Sequence, residues 1–354
     1  MVYKRFKYGD KIVEIETPEL YVDNQSRKRS GHMSHAMAEF APGCFIDFNS
    51  NCSAVRMYGH MPYGWCEYRI SKDSGKTYSD VKTFEYSLQS FLDGIHSISV
   101  EKAVATDKGE ILAFCLRNDA EKHGFCEPWS SPTLLKSTDG GETWGEPVEF
   151  IPDAGRIYAA LYHEGVAYVM ISCNPKFIAT SPDIKYKVYK SYDNGESWEL
   201  SSEVPVDPRG RAYCAMVFDT ENVLHAYVYN SMKEDRMDHA ISRDFGKSWE
   251  MLEPCFLDKA IRNPQIAYLD GLYILHGRAG QYGGFVFYAS TDATNWSEGV
   301  MVSEPEHGCG SFYSNNLPLR DEKGNFLLVQ YSEVYEGWAK VNVKHLRVRV
   351  KDVG

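Results

Sequence analysis

One short hairpin motif recurs five times along this 354-residue chain, and few folds accommodate such a repeat. The copies read Ser71-Lys-Asp73-Ser-Gly75-Lys-Thr77-Tyr78, Ser137-Thr-Asp139-Gly-Gly141-Glu-Thr143-Trp144 and Ser191-Tyr-Asp193-Asn-Gly195-Glu-Ser197-Trp198. They continue with Ser242-Arg-Asp244-Phe-Gly246-Lys-Ser248-Trp249 and a degenerate Ser290-Thr-Asp292-Ala-Thr294-Asn-Trp296. Their starts step by 66, 54, 51 and 48 residues, a period expected of propeller blades. Each residue type has a physical task. The Asp carboxylate can accept N–H bonds across a tight turn. The Gly supplies a positive-φ position without a Cβ clash, and the Trp or Tyr buries a large ring beneath the turn.

A second repeat lies between the hairpins. Arg156 to Glu164-Gly165, Arg211 to Asp219, Arg262 to Asp270-Gly271 and Tyr313 to Asp321 each run from a first residue, through an apolar strand, to an acidic turn eight positions on. Looser copies surround His35, ahead of Pro42-Gly43, and His96 to Ser99, ahead of Asp107-Lys-Gly109. Six units predict an all-β, six-bladed propeller filling residues 1–354 as one domain. The alternating strand Val341 to Val350, joined by the stretch Lys11 to Glu16 as outer strand of the last blade, would close the ring and remove an exposed edge. First strands of blades line the central channel, so Arg156, Arg211, Arg262 and Tyr313 are expected around its mouth, with His35 nearby. Arginines converging on one cavity repel unless an anion meets them, and guanidinium forks match carboxylates.

Composition narrows the partners. A net charge of −11 argues against nucleic acid, while a local basic cluster can still attract a small anion. No apolar run reaches transmembrane length, so no membrane partner is expected. The opening Met1 to Lys7 has no apolar core of a signal peptide. Nine scattered cysteines, with no C-x-x-C pair, suggest neither a zinc site nor a disulfide framework, and point to a reducing, cytoplasmic setting. No nucleotide loop, metal signature or organic cofactor site is present, and the oligomeric state is not legible.

The hairpins resemble the Asp boxes of the sialidase (neuraminidase) superfamily, and the six units cover nearly the whole chain. Tyr313, in Gly310 to Leu317, is similar to that family's nucleophilic tyrosine. Tyr331-Ser-Glu333 resembles its later Tyr-Glu segment, and Asp270 to Arg278 the strand bearing one arginine of its carboxylate-binding triad. The resemblance implies a glycosidase with a Tyr nucleophile, an assisting Glu, an acid/base Asp and three arginines on the sugar carboxylate. No Arg immediately precedes Tyr313-Ser314, and the chain departs from that pattern at three further places. His32-Met-Ser-His35 to Glu39 stands where the family has Arg-Ile-Pro, Asn263 where it has the assisting Glu, and His60 with Tyr63-Gly-Trp65 where it has the acid/base Asp.

The expected reading is an exo-acting glycoside hydrolase of the sialidase-like superfamily releasing a terminal acidic sugar. Tyr313 and Glu333 are the candidate nucleophile and its helper, and His35 and Glu39 candidate acids. The substrate-binding set is Arg156, Arg211, Arg262, Arg278, His32, His60, Tyr158, Tyr213 and Gln265. Glu101 and His96 are further candidates on inner strands, Arg117 is read as part of a solvated turn, and Trp65, Tyr63, Trp129 and Tyr282 as possible sugar platforms. A metal at the first-blade histidines is disfavoured, because His-x-x-His on a strand splits the pair between two faces. Two alternatives keep the propeller: another acidic-sugar enzyme, a uronic-acid glycosidase or lyase, or a non-catalytic carbohydrate-binding propeller.

Overall fold

The computed structural model describes residues 1–29, 35–49, 56–58, 61–119, 131–173, 184–280, 283–303, 310–337 and 340–353. Six antiparallel sheets form the blades of a β-propeller. Blade 1 is His35–Ala41, Cys44–Asn49, Glu67–Ser71 and Lys82–Thr83, and blade 2 is His96–Ala105, Ile111–Asp119, Ser131–Ser137 and Val148–Glu149. Blade 3 is Gly155–His163, Val166–Cys173, Lys185–Ser191 and Glu199–Val204; blade 4 is Arg211–Phe218, Leu224–Asn230, Arg236–Ser242 and Glu250–Phe256. Blade 5 is Arg262–Leu269, Leu272–Arg278, Phe285–Ser290 and Val300–Ser303. Blade 6 runs Ser314–Asp321, Gly324–Glu336, Lys340–Asp352 and then the N-terminal Lys11–Glu16, as the sequence predicts, with Val2–Tyr8 added as a fifth strand in that order. The first strands of successive blades pack side by side, blade 6 against blade 1 included, and so wall the channel.

The hairpin motif joins the third strand of a blade to its outer strand, and its bonding follows the sequence argument. In blade 2, Thr143 N–H donates to Asp139 Oδ1 at 2.9 Å, Thr143 Oγ1 to Asp139 Oδ2 at 2.5 Å, and Gly141 N–H to Ser137 Oγ at 2.9 Å. The set repeats at Asp73, Asp193 and Asp244. In the degenerate copy Thr294 and Asn295 N–H groups converge on Asp292 Oδ1. The glycines take φ of 76° to 88°. A Cβ on Gly195 would stand 3.0 Å from Leu112 Cδ2 of the preceding blade, so the bare backbone also lets the turn lie flat on its neighbour.

The motif's aromatic ring explains the repeat. Tyr78, Trp144, Trp198, Trp249 and Trp296 each pack against a different apolar cluster, and each cluster joins its blade to the one before. The sixth blade carries no such hairpin. Its seam with blade 5 is filled by Phe6 and Tyr8 of the added N-terminal strand, packed against a cluster that contains Val13, Ile15, Phe285, Leu327 and Val348. Tyr8 Oη donates to the Asn295 carbonyl of the fifth hairpin at 3.1 Å.

One element was not legible. The helix Glu85–Leu92 links blades 1 and 2, held by Ser87, whose hydroxyl donates to the Phe84 carbonyl at 2.6 Å and accepts the Cys66 N–H at 2.8 Å. Among the described cysteines Cys66, Cys115, Cys173, Cys214 and Cys255 are buried free thiols and Cys44 is half-buried. No helix among the described residues is long and apolar enough to cross a membrane.

Closing the ring through residues from both chain ends makes that seam a test of the architecture. Ile15 is fully buried and paired with Val348. Ile15→Ala should cost about 2–5 kcal/mol by urea unfolding, the loss of a large side chain from a core that cannot collapse around it; a change under ~0.5 kcal/mol would show that the N-terminal strand merely decorates the blade.

Candidate functional site

Bulges aim the residues at the channel mouth. The inner strands of blades 2 to 5 each slip register near their start, between Val100 and Lys102, Ile157 and Ala159, Arg211 and Cys214, and Arg262 and Gln265. Bulges of this kind bend a strand and redirect its side chains. Around them Glu101, Lys102, Arg156, Tyr158, Tyr213, Asn263, Gln265, Tyr313 and Ser314 line one small pocket of about 30 Å³. Gly277 makes the blade 5 bulge possible, since a Cβ there would fall 2.8 Å from the Arg262 carbonyl oxygen.

Tyr313 is the centre of this group. Its preceding residue, Phe312, has φ of 63°, rare for a bulky side chain and the kind of constraint that gathers at functional sites. Ser332 holds the kink: its carbonyl accepts the Phe312 N–H at 2.7 Å, its N–H donates to the Tyr313 carbonyl at 2.9 Å, and its hydroxyl donates to the Gly310 carbonyl at 2.6 Å. The Tyr313 and Tyr213 hydroxyls are 3.1 Å apart. Burial pushes the Tyr213 phenol well above its ordinary pKa, so it stays protonated and able to donate. The Arg278 guanidinium lies 5.4 Å from the centre of the Tyr313 ring. Arg262 is the direct cross-strand neighbour of Arg278. Two like charges so placed repel, and the carboxylate nearest Arg262 is Glu234, 3.5 Å from its Nε.

The other two arginines of the expected ring meet protein carboxylates. Arg156 donates from Nε at 3.1 Å and Nη2 at 2.8 Å to the same Glu101 oxygen, and Ser99 Oγ holds the other at 2.9 Å. Arg211 pairs with Asp238 and donates to the Arg209 carbonyl at 2.7 Å. Tyr158 stands edge-on to Tyr213 at 5.1 Å, in the same wall. Gln265 accepts a bond from Lys102 Nζ at 2.6 Å.

The remaining candidates are dispersed. Glu333 pairs with Lys344 on the adjacent strand, not with Tyr313 or an arginine. Glu39 sits at the far end of its strand, where it accepts the Gly43 N–H of the turn at 2.7 Å; burial raises its pKa against that bond. His35 opens the inner strand of blade 1 at the mouth end, but its side chain is outside the described set, as are His32, His60, Trp129 and Tyr282 altogether and the side chain of Tyr63. Trp65 has a ring face covered by the Arg29 guanidinium at 3.8 Å. His96 bonds Asp93 at 2.7 Å. Arg117 is not in a solvated turn: Asn118 and Asp119 continue its strand against His96, and its Nη2 lies 3.3 Å from His96 Nε2.

Two groups escaped the sequence reading, Lys102 and His276. Lys102 follows Glu101, and strict alternation would put it on the other face; the bulge overrides that. His276 lies buried beneath the site, with Nδ1 3.1 Å from Ser314 Oγ and Nε2 2.9 Å from Asn316 Nδ2. Among the described residues no cluster of His, Cys, Asp and Glu is arranged to hold a metal ion.

Comparison with known proteins fits this geometry. A sialidase from Paraclostridium sordellii is 28% identical over 246 residues, 62% of this chain and 57% of that protein. Its fold relatives are similar along nearly the full chain. The chain is thus similar in sequence to a sialidase over part of its length and shares a six-bladed propeller fold with solved sialidases. A Dyadobacter fermentans DSM 18053 protein of unknown function superposes with a TM-score of 0.73 at 16% identity, covering 96% of this chain and 99% of its own. The Hadza microbial sialidase Hz136 superposes at 0.69 with 13% identity, covering 95% of this chain and 68% of its own. At such identities the likeness to these two structures is one of fold alone. This chain spans little more than half the length of the curated sialidase it matches. No family model matches it.

The buried histidines give a pH test. Burial, with Lys102 nearby, holds His276 down to about 3 from an ordinary 6.5. Burial and the neighbouring His225 do the same to His239, which bonds His225 at 2.9 Å between blades 4 and 5. Above pH 6.5 both rings are neutral folded or unfolded. Below it the unfolded chain takes up protons that the native state refuses, so stability falls from pH 6.5 towards 3. The hairpin aspartates, with Asp139 and Asp193 held at about 2 by their hydroxyl and N–H donors, add their own loss only below about pH 4. The melting temperature should therefore drop between pH 7 and 4.5, and His276→Gln with His239→Gln should flatten that drop; an unchanged slope in the double variant would refute the assignment.

Proposed function

We propose that this protein is an exo-acting glycoside hydrolase of the sialidase type, releasing a terminal acidic sugar of the sialic acid kind. The observation that carries the reading is the Tyr313 phenol beside the Tyr213 hydroxyl, with Arg278 against its ring and Arg262 across the strand pair. In this reaction the Tyr313 oxygen bonds the anomeric carbon as the glycosidic C–O bond breaks, and the departing oxygen takes a proton. Water then hydrolyses the tyrosyl intermediate and returns the phenol. Positive charge over the Tyr313 ring and a phenol donor 3.1 Å from its oxygen favour the negative charge that develops there during attack. The two arginines also suit the sugar's carboxylate.

The carboxylate that assists the tyrosine in the resemblance is Asn263 here, which cannot take a proton. The phenolic proton must pass to another acceptor: Tyr213, itself a protonated phenol, can only donate to the Tyr313 oxygen, and Glu101 is a carboxylate lining the same pocket. The acid for the leaving group is assigned to the first-blade histidines His32, His35 and His60, because Glu39 is engaged with Gly43 at the opposite end of its strand. The Asn263 substitution also favours a second reading, in which the propeller binds an acidic sugar without turning it over.

Aryl glycosides of N-acetylneuraminic acid, its deaminated analogue and glucuronic acid, with mass spectrometry of the products, separate these readings. Release of one free acidic sugar is expected, with Tyr313→Phe lowering kcat by ~10³-fold or more while binding of the sugar persists. A product with a new double bond would mean a lyase. Calorimetric binding without release over long incubation would leave the non-catalytic reading.

A further inference from the structure

Lys102 is a cation with no carboxylate partner among the described residues. It stands deep in the channel wall at the bulge of blade 2, where slipped register brings two consecutive residues, Glu101 and Lys102, to the same pocket. Its ammonium reaches across the channel. It donates to Gln265 Oε1 of blade 5 at 2.6 Å and to Asn315 Oδ1 of blade 6 at 3.1 Å. Both acceptors are neutral amides. An ammonium has three N–H donors, and among the described residues the third has no acceptor and no carboxylate pairs with the charge. The adjacent Glu101 is already held by Arg156 and Ser99. Burial lowers the Lys102 pKa to about 8, against the opposing pull of Glu101.

A part-buried ammonium with no carboxylate partner among the described residues is costly. Arg262 and Arg278 are a like-charged cross-strand pair in the same wall, next to Tyr313. The pocket that Lys102 shares with Tyr313, Tyr213, Asn263 and Ser314 measures about 30 Å³. That is room for a carboxylate or a single water and not for a sugar ring. Small volume, a spare ammonium donor among the described residues and the arginine pair beside Tyr313 together describe a receptor for one compact anionic group.

We propose that Lys102 is a substrate-binding residue that takes the carboxylate of the acidic sugar at the floor of the site, in the role that Arg156 and Arg211 give up by pairing with Glu101 and Asp238. The assignment rests on the acidic-sugar reading above and adds to it the residue that selects for the acid. A sugar whose carboxylate is attached at the anomeric carbon suits it best, because the anion and the carbon facing Tyr313 must then lie side by side.

The test compares kcat/KM for the aryl glycoside of N-acetylneuraminic acid with that for its methyl ester, in the unaltered protein and in Lys102→Met, with free N-acetylneuraminic acid binding followed by calorimetry. The preference for acid over ester should fall by ~10–100-fold, the loss of one charge-assisted hydrogen bond, and the free acid should bind correspondingly more weakly. Lys102→Arg should keep part of the preference. Where Lys102→Met fails to fold, Lys102→Gln, which retains an N–H donor for the amides, carries the same comparison. A folded Lys102 variant with unchanged acid preference and unchanged affinity overturns the proposal and leaves the acidic-sugar reading intact. An unaltered protein that neither cleaves nor binds any acidic sugar overturns both.

Discussion

The contact on which this molecule depends is that of each hairpin aromatic ring with the blade before it. A four-stranded sheet has two apolar faces and cannot cover either alone. The Asp-centred bonds make each turn rigid, and the Trp or Tyr at its end reaches back over the preceding sheet. Five such rings and one pair of N-terminal side chains account for all six seams. The ring closes because the missing sixth hairpin is replaced by strands from the start of the chain. Every buried side chain in these seams is worth ~1.5–3 kcal/mol, so the repeat is a stability device, and its conserved spacing along the chain says nothing by itself about chemistry.

Chemistry sits at the other end of the blades. Inner strands that only packed would alternate strictly and present small residues to the channel, as Ala38, Ala103, Ala159 and Ala215 do lower down. Near the mouth four of the six strands bulge instead, at matching positions. The bulges give up ladder regularity and gather Glu101, Lys102, Tyr158, Tyr213 and Asn263 around Tyr313. The positive φ of Phe312 and Asn263 belongs to the same local departure from strand geometry.

The electrostatics divide the cations into two sets. Arg156 is neutralised by Glu101 and ties blade 3 to blade 2 at the mouth, and Arg211 is neutralised by Asp238 within blade 4. Lys102 lines the pocket, and Arg262, with Glu234 3.5 Å from its Nε, and Arg278 stand beside Tyr313.

The sequence by itself determined the fold class, the number of blades and the closure by Lys11 to Glu16, because these depend on local turn chemistry and on periods that a single chain displays. It also placed Arg156, Arg211, Arg262 and Tyr313 at equivalent positions, and picked out Tyr213 and Gln265 beside them. It did not reveal the helix Glu85–Leu92, the partners that occupy Arg156 and Arg211, or the engagement of Glu39 with Gly43 and of Glu333 with Lys344. Tertiary structure alone decided those matters. A bulge shifts a side chain from one face to the other by one residue, and the contacts of Lys102 with Gln265 and Asn315 span 163 and 213 positions of chain. Such pairings come from the closing of the ring, which no local pattern encodes.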